Sequence, residues 1–264
     1  MIGRRPLPER YLSWNERWGV PFGQPAAADV PLRERLTQPR KEYGPFAYQM
    51  YSGTRTFEYP WAYFAAGVEP GCRVLDVGGG TSGLQFVFAL EGAVVLNVDP
   101  YAADSGGWPL GTWDAPHELH DQLNAVFDTR VRLVPKRLQD ADVPAASVDR
   151  VVCLSVLEHL EPDDAREVVE HMARALVPGG LLVATVDLFF DLEPFGVMQR
   201  NGWGTNLDLH RLLDGQGLEL VEGDPRELHG FPEFDRDRLV AQIPELFMAP
   251  RYPVVTQAIV ARRA

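Results

Sequence analysis

The feature that most constrains the fold is a rhythm. Short β-branched apolar runs, Val94 to Val98, Val151 to Val156 and Leu181 to Val186, are separated by segments with helical periodicity. Runs of this length, bounded by turn residues, are how strands covered on both faces of a parallel sheet read. The pattern places strands at Arg73–Val77, Val94–Val98, Val131–Val134, Val148–Leu154 and Leu181–Val186. It places helices at Gly83–Leu90, His117–Asp128, Asp163–Leu176 and Leu207–Leu213. Alternation of strand and helix predicts an α/β, doubly wound sheet. Beyond it, Leu218–Val221 and Pro253–Ala261 read as two more strands around a helix at Asp235–Ile243, a pair that would close one sheet edge antiparallel.

The chemistry is concentrated in Val74-Leu75-Asp76-Val77-Gly78-Gly79-Gly80-Thr81-Ser82-Gly83. Gly78, Gly80 and Gly83 satisfy G-x-G-x-x-G directly after a strand and before a helix, where glycine permits a sharp turn and close approach of a ligand to backbone. That spacing also describes a dinucleotide site. Asp99, closing the next strand, is placed to accept hydrogen bonds from both hydroxyls of a ribose. Asp76 decides between the two ligands. A fixed carboxylate opposes a pyrophosphate but favours a sulfonium and an ammonium, so the charge pattern prefers S-adenosylmethionine to NAD.

Composition narrows the partners. The 264 residues carry 37 acidic against 25 Lys and Arg side chains, a formal charge of −12. This speaks against a basic nucleic-acid-binding face, and a small-molecule substrate is expected in place of nucleic acid. Cys72 and Cys153 sit in apolar, strand-like surroundings, as buried thiols of a reducing cytosol do. No stretch approaches the about 20 apolar residues of a membrane span. A cytoplasmic protein, monomer or homodimer, is expected.

With these motifs in place, the chain resembles the class I S-adenosylmethionine-dependent methyltransferases of small-molecule type. The resemblance rests on the Leu75 to Gly83 loop, on Asp99, on Ser155-Val156-Leu157-Glu158-His159-Leu160 after the fourth strand, and on Leu176-Val177-Pro178-Gly179-Gly180 before the fifth. It covers roughly residues 57–264 and implies a seven-stranded, mostly parallel Rossmann-like sheet with an antiparallel last strand. It also implies methyl transfer from S-adenosylmethionine, leaving S-adenosylhomocysteine. By the same resemblance Asp76, Gly78, Gly79 and Gly80 meet the methionine end, Asp99 with the adjoining Pro100 meets the ribose, and Ser155 and Val156 border the methionine moiety. Either Gln139 or Asp140, in Leu138 to Pro144, meets the adenine amine.

The acceptor side is less marked. Glu158, His159 and His210 are candidates for taking a proton from an acceptor, since imidazole titrates near neutrality. The competing role for Glu158 and His159 is to order the helix that starts at Pro162-Asp163-Asp164. Some relatives acting on RNA ends or quinone precursors carry a metal-binding Glu where this chain has Ser155, so no metal is expected. Residues 1–56, with Trp14, Trp18, Phe22, Tyr43, Phe46, Tyr48 and Tyr51, read as a helical, aromatic cap with helices near Pro8–Arg17 and Leu32–Tyr43. These aromatics either wall an apolar cleft or pack on the sheet, and Arg55 is placed either to reach the cofactor carboxylate or to lie in solvent. The alternatives to a small-molecule methyltransferase are an RNA or protein methyltransferase, an NAD-dependent oxidoreductase, and a non-catalytic cofactor-binding partner subunit.

Overall fold

In a computed structural model, which describes residues 1–50, 52–101, 116–250 and 252–264, the chain forms a sheet of order β3-β2-β1-β4-β5-β7-β6. Tyr51 of the expected cap lies outside the described residues. The strands are β1 Arg73–Val77, β2 Val94–Val98, β3 Arg132–Val134, β4 Val148–Leu154, β5 Leu176–Phe189, β6 Leu218–Glu222 and β7 Val254–Arg263. The helices are α1 Glu9–Trp18, α2 Leu32–Thr37, α3 Arg55–Ala66, α4 Gly83–Leu90, α5 Pro116–Phe127, α6 Pro162–Ala175, α7 Leu209–Leu213 and α8 Arg236–Ala241. β1 to β5 pair in parallel, and β7 runs antiparallel to both β5 and β6.

Side chains alternate across the strands and fill a core on each face. Val74, Val95, Val152 and Val183 join α3, α4, α5 and the N-terminal segment on one side, while Leu75, Val151, Cys153 and Leu182 join α6 and α7 on the other. Trp14, Tyr43, Phe46 and Tyr48 are buried in the first of these cores. They are sheet-packing residues rather than the walls of an open cleft, whereas Phe22 is exposed.

Several elements depart from the sequence-based expectation. α2 stops at Thr37 because Pro39 bars helical continuation, and a separate 3-10 turn forms at Lys41–Tyr43. β5 begins five residues early, at Leu176, so the Pro178-Gly179-Gly180 turn becomes an irregularity where the β4–β5 register shifts. The largest departure is α3, whose aromatic sequence and internal Pro60 hide a helix. Proline leaves the carbonyl four residues earlier, that of Thr56, without its helical donor. Nδ2 of Asn15, buried in α1, donates to that oxygen at 2.8 Å. The division expected between residues 56 and 57 falls inside α3.

Candidate active site

β1 delivers Asp76 and the glycine loop to the carboxyl end of the sheet, where ligands of open α/β sheets bind. Gly78 and Gly80 have φ of 69° and 53°, left-handed values that exact little cost only from glycine. A Cβ on Gly79 would lie 2.3 Å from Oδ2 of Asp76, so that residue must be glycine for the carboxylate to sit beneath the loop. Ser82 caps α4, its Oγ accepting from the Leu84 N–H at 3.3 Å. The Gly80 carbonyl is held by Nε2 of Gln85 at 3.0 Å and Nδ2 of Asn97 at 2.8 Å.

Asp99 closes on this loop. Its Oδ2 accepts from the Gly80 N–H and its Oδ1 from the Tyr101 N–H, both at 2.8 Å. Burial raises its pKa against those two donors. Asp76 is pushed up to about 7, chiefly because burial disfavours the charged form and secondarily because Asp99 is close. A buried and a part-buried carboxylate without a cation among the described neighbours of either are poorly compensated. The amide Oε1 of Gln49, which hangs over Gly80, and Oδ1 of Asn97, beside Gly79, are buried without a hydrogen-bond partner. A ligand with an ammonium and hydroxyl donors would satisfy all four groups, and S-adenosylmethionine is of that kind. The residues present fit it.

Val156 also reaches the loop, with Ser155 beside it in sequence. The Val156 Cγ2 lies 2.6 Å from where a Cβ on Gly78 would project. Ser155, with φ of 48°, is fixed by its N–H donating to the Thr185 carbonyl at 3.0 Å. Arg55, at the start of α3, donates from Nη1 to Ser155 Oγ at 2.8 Å and pairs with Glu58. It is therefore engaged inside the chain rather than solvated. Glu58 is fully buried and accepts from the hydroxyls of Ser155 at 2.9 Å, Thr185 at 3.2 Å and Thr256 at 3.0 Å. Thr256 Oγ1 also lies 3.2 Å from Oδ1 of Asp187 on β5.

The remaining candidates separate. Glu158 is fully buried, and its Oε1 and Oε2 have no hydrogen-bond partner. Desolvation raises its pKa, opposed by its own backbone N–H, by Arg55 and by the Asp187 N–H, with Glu58 adding to the shift. His159 directs Nδ1 at the Trp203 carbonyl, which only accepts, so the neutral ring carries its proton there and its lone pair on Nε2. Burial lowers its pKa. His210 is exposed on α7 with its ring edge-on to Phe231 at 5.3 Å, and no contact among the described residues ties it to Glu158 or His159. Pro100 and Asp140 are exposed, and Gln139 reaches Glu167 of α6 at 3.5 Å, the limit of a hydrogen bond. A cavity of about 570 Å³ lies beyond β5, lined by Glu193, Gln199, Thr205, Asn206 and His229 among others. Thr205 links it to the site, its N–H donating to the Glu158 carbonyl at 3.0 Å.

Sequence reading missed Gln49, Glu58, Asn97, Asp187 and Thr256. The signal available was polarity out of place: Asn97, Thr185, Asp187 and Thr256 interrupt otherwise apolar strands, and Glu58 interrupts an aromatic helix.

Residues 32–222 match the family described as a methyltransferase domain, which is most of the chain. The chain belongs to this methyltransferase family. A ubiquinone biosynthesis O-methyltransferase from Hahella chejuensis (strain KCTC 2396) is 36% identical over 121 residues, covering 46% of this chain and 43% of that one. The chain thus spans less than half the length of that curated relative. Among solved structures, the 1,6-didemethyltoxoflavin-N1-methyltransferase of Burkholderia thailandensis, with its substrate and S-adenosylhomocysteine bound, has a TM-score of 0.54 at 17% identity. That match covers 81% of this chain and 79% of that one. The [4+2]-cyclase SpnF matches with the same TM-score and identity over 78% and 79%. At these identities the solved structures establish the fold of this methyltransferase family member and not its reaction. No helix among the described residues is long and apolar enough to cross a membrane.

Proposed function

We propose that the chain is an S-adenosylmethionine-dependent methyltransferase acting on an oxygen, nitrogen or carbon acceptor of a small, partly apolar metabolite in the cytosol. The observation that carries this reading is the pair of carboxylates, Asp76 buried and Asp99 part-buried, set against a glycine loop in a member of the methyltransferase family. When bound, S-adenosylmethionine supplies a methyl group on a cationic sulfur. Asp76 takes the ammonium of the methionine end, which offsets the cost of its own burial. Asp99 keeps lone pairs for ribose hydroxyls beside the backbone donors it already accepts from. Gly78, Gly79 and Gly80 leave the backbone open to the ligand, Val156 and Ser155 wall its far side, and Gln139 or Asp140 meets the adenine amine. Residues 1–56 serve as a cap on the cofactor-binding domain of residues 57–264.

Methyl transfer is an in-line displacement, so holding donor and acceptor in register supplies much of the acceleration. Glu158 and His159 stand at the exit of β4, where the acceptor sits in this reading, and His159, with His210 as the exposed alternative, would serve as the base for an acidic acceptor. The O-methyltransferase and N1-methyltransferase among the related proteins support such an acceptor.

Titration calorimetry with S-adenosylhomocysteine tests the reading. Saturable binding is expected, and Asp99→Ala should weaken it by about tenfold or more, the cost of losing hydrogen bonds from a charged partner. No heat with the natural chain would overturn it.

A further inference from the structure

Beside the loop site lies a second group of charges that no step above uses as a unit. Arg55 and Glu58 of α3, Glu158 after β4 and Asp187 of β5 converge where β4 and β5 end and β7 begins, with the hydroxyls of Ser155, Thr185 and Thr256 among them. Glu58 is fully satisfied by Arg55 and the three hydroxyls. Glu158 is not. It is wholly buried, and neither carboxylate oxygen makes a well-formed hydrogen bond. The backbone N–H groups of Glu158 and Asp187 and the Arg55 guanidinium only partly offset its burial, and Glu158 is in turn the strongest charge acting on Asp187. One arginine faces three carboxylates, and a buried carboxylate in excess must hold either a proton or a cation.

We propose that Glu158 and Asp187 form the recognition site for a basic nitrogen on the methyl acceptor, with Glu58 and Arg55 as the fixed ion pair that shapes it. This rests on the methyltransferase reading and narrows its acceptor to amine-bearing metabolites. Burial, and then repulsion among the three acids, holds both carboxyls protonated above their ordinary range. An incoming ammonium takes the place of a proton: R–NH₃⁺ binds the carboxylate, and the proton that carboxyl held leaves to solvent. Asp187 is partly exposed whereas Glu158 is not, so the amine enters past Asp187 and ends on Glu158. Asp187 and Glu158 are thus specificity residues, separate from Asp76, which serves the cofactor.

Benzylamine and the near-isosteric benzyl alcohol are suitable probes, titrated into the chain saturated with S-adenosylhomocysteine in phosphate and in Tris buffer. The expected result is that benzylamine binds at least about tenfold tighter than benzyl alcohol. Its heat should differ between the buffers because a proton is released. Glu158→Gln and Asp187→Asn should each erase the preference and the buffer dependence while leaving S-adenosylhomocysteine affinity unchanged. That unchanged affinity also shows that the variants are folded. Equal affinity for the two probes, no binding of either, or a preference that survives both substitutions overturns the proposal. Failure of S-adenosylhomocysteine to bind would instead refute the cofactor reading, and the same pair of probes on the free chain still decides whether the amine site exists.

Discussion

Asp76 has the most consequential environment of any single residue in the chain. Its pKa stands at about 7 against an ordinary 3.8 because burial penalises the ionised form. The folded chain therefore holds a proton that the unfolded chain releases near pH 4. Stability is full below that pH, falls as pH rises through the window from about 4 to about 7, and has lost on the order of 4 kcal/mol above it. A ligand ammonium requires the opposite, an ionised Asp76. S-adenosylhomocysteine affinity is thus expected to drop up to about tenfold per pH unit below 7 and to level off above it. Asp76→Asn should weaken binding at pH 8 and flatten the profile between pH 5 and 7. Calorimetry across that range checks it, and a wild-type profile that is flat there would contradict it. The loop residues Asp76, Gly78, Gly80 and Asp99 were legible because each type is dictated by backbone geometry or ligand charge over a span of 24 residues. Gln49 and Glu58 were not, because they reach the loop and the neighbouring strand ends only through tertiary packing of a segment with no period of its own.

At the scale of elements, strands and helices with a clean apolar period were legible to within a residue or two, as β1, β2, α4 and α6 illustrate. Local propensity failed at α3, where Pro60 argues against a helix. What rescues it lies 41 residues away, since Asn15 supplies the donor that proline withholds from the Thr56 carbonyl. No local pattern encodes such a bond. Its worth follows from burial: Asn15→Ala leaves a carbonyl without a partner inside a packed interface and should cost about 1 to 3 kcal/mol. Urea unfolding of Asn15→Ala should show that loss as a lower midpoint with an unchanged slope. Asn15→Ala combined with Pro60→Ala should recover part of it, because alanine restores the helix's own donor to Thr56. If the double variant is as unstable as the sum of the singles, the bond does not perform this role.

For the whole molecule, the expected cap of residues 1–56 and the domain of residues 57–264 share one interior. Tyr11, Trp14, Phe46 and Tyr48 pack with Phe57, Trp61, Phe86 and Phe88 in the same buried cluster as Val74 and Val152 of the sheet. The Thr81 hydroxyl donates to the Tyr48 carbonyl at 2.7 Å, tying that segment to the glycine loop itself. A cap joined this way does not open independently, since exposing its aromatics exposes the sheet face they cover, at roughly 25 cal/mol per Å² of apolar area. The amides of α1 should then exchange with deuterium only through global unfolding, with protection matching that of β4. Native-state exchange at rising denaturant measures this directly. Merging of the α1 and β4 exchange free energies into one value is expected. If α1 amides exchange at several kcal/mol below those of β4, the N-terminal segment is instead a separately opening unit that admits ligands by local release.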